Sequence, residues 1–372
     1  MNKTRLILED GAVFDGYQAG YNNSVSGEVV FATGMVGYEQ SLTDPSYSGQ
    51  ILAFTYPLIG NWGVPIRKYW ESEKIQVQGV IISDLTTNPN HRLAKKTLNN
   101  WLVEQKIPAI VDVDTRLLTQ KLRDEGVMLG KIIMDNNDID FWDPNQTNLV
   151  AKVSPKTIKI HKPKIQPRRL KAQNLRGCKV GLLNCGAKRN ILRSLLSRGA
   201  TVYELPWNFD LFENNLKIDG LVISNGPGDP KIAKESIAII KKSLAKKIPT
   251  FGICLGNQLL GLAAGGDTYK LKFGHRAQNQ PTIQVGTPPR LARSSGEAGK
   301  RCFITTQNHG FALSEKKLPK GFKRWFYNAN DNTNEGIIHV KLPFFSVQFH
   351  PEATPGPTDT QWLFDFFMEK FK

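Results

Sequence analysis

From Gly177 onward, short apolar runs alternate with stretches of helical spacing, and this alternation narrows the fold more than any other feature of the chain. Lys179–Asn184, Ala200–Leu205, Gly220–Ser224 and Ile248–Ile253 read as buried strands. Arg189–Arg198, Lys234–Lys246 and Gly256–Ala264 read as helices, the last packed by Leu259, Leu260, Leu262 and Ala263. Alternation at this length predicts an α/β fold with a doubly wound, mostly parallel sheet, because parallel neighbours need crossover connections. In such a sheet the loops that follow strand carboxyl ends build the site.

Two features fall on loops of that kind. Gly252-Ile253-Cys254-Leu255-Gly256 frames a lone cysteine with small residues between a strand and a helix. A sharp turn there exposes the side chain, and the helix N-terminus favours its thiolate. Asn225-Gly226-Pro227-Gly228-Asp229-Pro230 follows another strand and can bring backbone N–H groups to a ligand as part of an oxyanion hole. A tight strand-to-helix connection is the plain alternative, and the Gly-Lys-Ser/Thr ending of a phosphate loop is absent. Ninety-six residues after Cys254 comes His350-Pro351-Glu352, delivered by the apolar run Phe344–Phe349. A histidine there can act as base, and a carboxylate two residues on can hold its ring. The order points to a Cys254–His350–Glu352 triad, against a structural cysteine in a glycine turn.

Other polar residues admit two readings each. His309, in the run Gln307–Phe311 read as a hairpin loop, is a rival base; Glu352 is the reason to prefer His350. Gln258 lies one helical turn after Cys254 and faces either the same cavity or solvent. Lys188-Arg189-Asn190 opens a helix with positive charge, which is mildly unfavourable. An anion contact, an interface or plain surface charge would each account for it.

With 372 residues, the chain is long enough for two or three cores. The part before about residue 150 mixes short strands, glycine turns and two helices. These are Thr97–Gln105, with Leu98, Trp101 and Leu102 inward, and Asp114–Asp124, with Asp114 as N-cap and Leu117, Leu118 and Leu122 inward. The expected domains are 1–150, a basic linker over 151–176, and 177–372. Asn136–Leu175 is rich in Lys, Pro and Asn and reads as extended. Pro144–Tyr203 holds fourteen Lys or Arg and no Asp or Glu, within a net charge of +16. A solvated linker is the plain reading; an acidic protein partner ranks next and nucleic acid last, because aromatic stacking residues and binding motifs are missing there. No run approaches eighteen apolar residues, so no membrane span is expected. The opening run Leu6-Ile7-Leu8 is too short for a signal-peptide core. Four cysteines without paired spacing predict reduced thiols in a cytoplasmic protein, and six scattered histidines predict no metal site.

On Gly-x-Cys-x-Gly and His-Pro-Glu, residues 177–372 resemble the class I (triad) glutamine amidotransferases. The whole chain resembles the small-subunit family of carbamoyl phosphate synthetases. The added likeness rests on Leu8-Glu9-Asp10-Gly11, Gly27-Glu28-Val29-Val30-Phe31, Leu42-Thr43-Asp44-Pro45-Ser46-Tyr47 and Tyr56-Pro57-Leu58-Ile59-Gly60-Asn61. It also rests on Asp114-Thr115-Arg116, Lys272-Phe273-Gly274-His275-Arg276 and Pro351-Glu352-Ala353-Thr354-Pro355-Gly356-Pro357. The resemblance implies a smaller mixed α/β domain ahead of the amidotransferase domain. It implies glutamine hydrolysis through a thioester on Cys254, with His350 as base and Glu352 orienting it. Leu255 and Gly226 would supply oxyanion N–H groups. Ser46, Gly226, Gly228, Leu255, Gln258, Asn308, Gly310 and Phe311 would line the glutamine pocket. No cofactor is expected on this chain; ATP and bicarbonate belong to a large synthetase subunit, its heterodimer partner, which receives the ammonia for carbamoyl phosphate synthesis in pyrimidine and arginine pathways. Asn184-Cys185-Gly186 stands where Asp-x-Gly is common, Asn257 where His is frequent, and Ala277 where Gly is frequent. Two other readings compete: a non-catalytic regulatory subunit of the same fold, and an amidotransferase serving another synthase.

Overall fold

The computed structural model describes residues 2–163, 177–286 and 301–371. They form two compact units, Met1–Leu149 with Lys272–Ala277, and Val150–Leu271 with Gln278–Lys372. The polar stretch 287–300 and residues 164–176 of the basic run lie outside the described residues.

The first unit is a closed barrel of seven strands. They are β1 (Lys3–Leu8), β2 (Val13–Gly20), β3 (Val25–Ala32), β4 (Gln50–Phe54), β5 (Gly79–Ile81), β6 (Pro108–Val111) and β7 (Met128–Ile133). Their order round the barrel is β1-β2-β6-β5-β4-β3-β7. Neighbours β3–β4, β4–β5 and β5–β6 run parallel, and the other pairs antiparallel. Closure leaves no strand edge open to pairing. Helix α1 (Leu98–Glu104) buries Leu98, Trp101 and Leu102, and Thr97 Oγ1 accepts from Asn100 N. Helix α2 (Thr115–Glu125) starts on Asp114, whose side chain accepts from Leu117 N, and buries Leu118 and Leu122. Leu117, read as part of that inward face, is 54% exposed; Thr115 takes the buried place instead. Residues 115, 118 and 122 keep helical spacing, and 117 lies about 100° round the helix from 118.

The second unit is built on one sheet of ten strands. In chain order the elements are β8 (Lys159–His161), β9 (Lys179–Asn184), α3 (Arg189–Leu196), β10 (Thr201–Pro206), β11 (Gly220–Ile223), α4 (Lys234–Ala245), β12 (Thr250–Ile253) and α5 (Leu255–Ala263). Then follow β13 (Thr268–Gln284), β14 (Arg301–Leu313), β15 (Phe322–Asn328), β16 (Asn334–His339), β17 (Phe344–Val347) and α6 (Trp362–Met368). The sheet order is β8-β10-β9-β11-β12-β17-β16-β15-β13-β14. The centre, β10-β9-β11-β12-β17, is parallel throughout. Strands β16 and β15 continue it antiparallel, and β8 closes the other edge antiparallel, with Ile160 opposite Tyr203.

The parallel centre is covered on both faces, as the doubly wound reading requires. Along β9 and β11 successive residues alternate sides. Val180, Leu182 and Val222 join Phe251, Phe345, Ile191 and Leu195 of α3, and Phe364 and Phe367 of α6. Leu183, Leu221 and Ile223 join Ile239 and Ile240 of α4 with Leu259 and Leu260 of α5. Phe251 is fully buried and stacks on Phe345, with ring centroids 4.7 Å apart, and meets Phe364 edge-on at 5.8 Å.

Two expectations change. Gln307–Phe311 is the middle of β14 rather than a hairpin loop; its side chains find buried partners, such as Thr282 and Thr305 for Gln307 Nε2 at 3.3 and 3.2 Å. The described part of Asn136–Leu175 is not extended throughout: it contains a short helix, Leu149–Val153, and β8. Arg198, one of the fourteen basic residues, pairs with Asp365 through Nε and Nη2 at 2.8 and 2.9 Å. Truncating the residue at the centre of this core, Phe251→Ala, should cost about 3–5 kcal/mol of stability. Urea unfolding followed by tryptophan fluorescence reads that loss, and a cost under about 1 kcal/mol would mean the aromatic cluster is not the core of this unit.

Candidate active site

Strands β12 and β17 are parallel neighbours paired from Thr250↔Phe344 to Ile253↔Val347. Both therefore end at the same edge of the sheet. Cys254 comes next after β12, and its N–H donates to Val347 O at 2.9 Å. His350 follows Val347 by three residues. The chain then turns straight into α5, and Cys254 sits at the turn with φ 54° and ψ −106°. Positive φ is uncommon for a residue with a Cβ and has to be held by its surroundings. Part of that hold is Gly256: a Cβ there would lie 2.2 Å from Ile223 O, so the helix can approach β11 only without a side chain.

His350 is buried, and its Nδ1 faces Glu352 Oε1 at 2.7 Å. The same oxygen takes the ammonium of Lys188 at 3.2 Å, and Lys188 Nζ also donates to Ala353 O at 2.6 Å. Lys188 is 2% exposed and Glu352 not at all. Asn190 Nδ2 donates to Glu352 O, and to Thr354 Oγ1 at 2.8 Å, so the start of α3 clamps the loop after β17. That loop carries two positive-φ residues, Ala353 and Thr354, both at 58°.

Charge follows from this geometry. Burial by itself would raise the Glu352 carboxyl; the Lys188 ammonium and then the His350 ring outweigh it and hold the group well below its ordinary value. Burial would likewise lower His350; Glu352 and the Cys254 sulfur outweigh it and raise the imidazole well above its ordinary range. The Cys254 thiol is turned to Asn308 O at 3.5 Å, and His350 Nε2 carries no hydrogen bond among the described residues. The ring and the sulfur thus stand close enough for Cys254 to add to the basicity of His350, as an imidazolium beside a thiolate would require.

The remaining candidates fall at defined places. Gly226 and Gly228 lie on the loop after β11. A Cβ on Gly226 would sit 2.1 Å from Cys185 O and 2.8 Å from Leu255 Cδ2, so this loop packs against the start of α5, where Leu255 follows the cysteine. Gln258 is buried on α5, and its Nε2 donates to Phe311 O at 2.7 Å. Asn308, Gly310 and Phe311 are on β14. His309, the rival base, is buried on the same strand and bonded through Nδ1 to Phe311 O at 2.9 Å and through Nε2 to Gln307 Oε1 at 3.2 Å. Both ring nitrogens face oxygens of its own strand, whereas His350 has a carboxylate on one nitrogen and Cys254 beside it. Ser46 belongs to the first unit, on the one-turn 3₁₀ segment Pro45–Tyr47, where Asp44 accepts from its N–H at 2.9 Å. Lys188 is the residue that sequence reasoning underused. Its signal was the unfavourable cation at a helix start, and the anion it answers to is Glu352.

Two family models match. "Glutamine amidotransferase class-I" covers residues 181–370, and "Carbamoyl-phosphate synthase small chain, CPSase domain" covers residues 6–132. Among curated proteins, "Carbamoyl-phosphate synthase [ammonia], mitochondrial" of Homo sapiens is 46% identical over 99% of this chain and 24% of its own length. "Multifunctional protein CAD" of Squalus acanthias is 46% identical over 98% of this chain and 16% of its own length. "Multifunctional protein URA2" of Saccharomyces cerevisiae is 44% identical over 99% of this chain and 17% of its own length. The chain thus spans a quarter or less of the length of these relatives.

Replacing Lys188 by Met should leave a buried carboxylate without its cation and cost about 3–5 kcal/mol near neutral pH. Because Lys188 lowers the Glu352 pKa from 4.5, its contribution is present above that value and fades as pH falls through the lowered one. Acid unfolding of Lys188→Met should therefore begin at higher pH than in the parent. Coincident acid transitions would show that Lys188 does not hold the carboxylate ionised.

Proposed function

The chain belongs to the class-I glutamine amidotransferases and carries the carbamoyl-phosphate synthase small-chain domain; on that premise we propose that it hydrolyses glutamine and hands the ammonia to a large synthetase subunit. One observation carries the reading: a cysteine at a strained strand-to-helix turn emerges beside a histidine whose far nitrogen is held by a buried carboxylate.

The chemistry follows from the charges. Sγ passes its proton to Nε2 of a ring that Glu352 keeps basic. The sulfur attacks the side-chain amide carbon of glutamine. The oxygen that becomes anionic is stabilised by the backbone N–H groups of Leu255 and Gly226, held together by the packing of their two loops. The imidazolium returns its proton to the amide nitrogen, which leaves as ammonia, and a γ-glutamyl thioester remains on Cys254. Water, deprotonated by the same Nε2, cleaves the thioester to glutamate and the free thiol. Gly228, Gln258, Asn308, Gly310 and Phe311 are the proposed glutamine contacts within the second unit.

The partner is read from the relatives. Each is four or more times longer than this chain, and the human relative is named as a carbamoyl-phosphate synthase. ATP and bicarbonate would be used by the partner, in carbamoyl phosphate synthesis for pyrimidines and arginine. Four free cysteines suit a reducing compartment such as the cytoplasm. No helix among the described residues is long and apolar enough to cross a membrane. The human relative's name, with its "[ammonia]", raises a second reading, a chain of this fold that serves the synthesis without hydrolysing glutamine. Cys254, with its nearby base, argues for the first.

The test is carbamoyl phosphate formation by the chain with its large partner, supplied with either glutamine or ammonia. Cys254→Ser should lose about 10³-fold or more of the glutamine-dependent rate and keep the ammonia-dependent rate. An unchanged glutamine rate would sink the triad. A parent chain active only with ammonia would establish the second reading.

A further inference from the structure

Next to the nucleophile turn runs a chain of buried side chains of which only Gln258 belongs to the proposed glutamine pocket. Ser346 Oγ donates to Asn257 Oδ1 at 2.7 Å. Asn257 Nδ2 donates to Gln348 Oε1 at 2.9 Å, and Gln258 Nε2 donates to the same oxygen at 3.2 Å. Gln258 Nε2 also donates to Phe311 O at 2.7 Å. Ser346, Asn257 and Gln348 are fully buried and Gln258 is 3% exposed.

The direction of the chain is forced at one end. Phe311 O is a backbone carbonyl and can only accept, so the Gln258 atom beside it must be nitrogen. The second hydrogen of that nitrogen goes to Gln348, which must therefore present oxygen. Gln348 does so although its own Nε2 is left without a hydrogen bond among the described residues. A buried donor is rarely left unmade, and turning this amide over would set NH₂ against two NH₂ groups. With both hydrogens of Gln258 engaged inside the protein, its Oε1 is the one part of the amide that no described residue binds.

We propose that Gln348 and Asn257 are positioning residues that fix the Gln258 amide with its oxygen turned to the glutamine pocket, so that the site selects an amide substrate bearing a hydrogen-bond donor, the α-ammonium of glutamine. This rests on the glutaminase reading above and on Gln258 lying in its pocket. Asn257, which stands where the family frequently has His, becomes the link between the strand that carries His350 and the helix that carries Gln258.

The experiment compares glutamine with glutaramate, the same amide without the α-amino group, on the chain with its large partner. The parent should favour glutamine in KM. Gln348→Met, which removes the shared acceptor, should raise KM for glutamine about tenfold, leave kcat within about threefold, and leave KM for glutaramate unchanged. Ser346→Ala, at the far end of the chain, should do the same more weakly and guards against a Gln348 variant that does not fold. Equal rises in KM for both substrates would reduce Gln348 to a packing role and overturn the proposal. So would a parent that hydrolyses both amides equally well, in which case the glutaminase reading survives alone. A parent that hydrolyses neither removes both.

Discussion

The site depends on one pairing. Parallel register between β12 and β17, closed by the bond from Cys254 N to Val347 O, sets two loops that are ninety-six residues apart in sequence at one edge of the sheet. A slip of one residue in β12 would turn Phe251 away from Phe345 and out of the aromatic core and carry the nucleophile to the opposite face. The burial that stabilises the sheet and the geometry of the site are therefore the same constraint. Everything nearer the chemistry, the turn at Cys254, the loop of His350 and the oxyanion candidates, hangs from it.

The second constraint is electrostatic and runs in series. Lys188 holds Glu352 ionised, and Glu352 holds His350 basic. Three buried charged groups without each other would be prohibitively costly, but in a row each compensates the next. The first lies at the start of α3 and the others on the loop after β17, so the row also ties a helix to that loop. Asn190 repeats the tie with uncharged bonds.

Much of the second unit was legible because its signals are local. Strand Lys179–Asn184 appears with the limits read from its apolar run, and Gly220–Ser224 and Lys234–Lys246 differ from the structure by a residue at one end. Asp114 and Thr97 cap the helices their neighbours announce. The illegible parts are long-range. Nothing in Lys3–Leu8 says that it pairs with Val13–Gly20 on one side and, more than a hundred residues on, with Met128–Ile133 on the other, so the barrel was not foreseen. Gln307–Phe311 looked like a loop because polarity usually marks the surface; here Gln307, Asn308 and His309 are buried, and the side chains of Gln307 and His309 are bonded within the sheet. Ile160, in a run dominated by lysine and proline, gave no local hint of Tyr203 as its partner. The triad candidates lay in motifs, whereas Lys188 acts on Glu352 from 164 positions away and only a tertiary structure joins them.

The frame of the nucleophile turn and the nucleophile itself answer to different demands. Gly256 and Gly226 sit where any side chain would strike a neighbouring backbone oxygen, so the architecture fails without them. The sulfur of Cys254 packs in the buried cluster around Phe251 and makes one long hydrogen bond, to Asn308 O, and a serine hydroxyl would fit the same space. Selection for a well-folded chain therefore guards the glycines more strictly than the thiol. In a lineage that came to draw its nitrogen from another source, the reactive atom would be the first thing to drift, and the scaffold around it would persist as a fossil of the lost step.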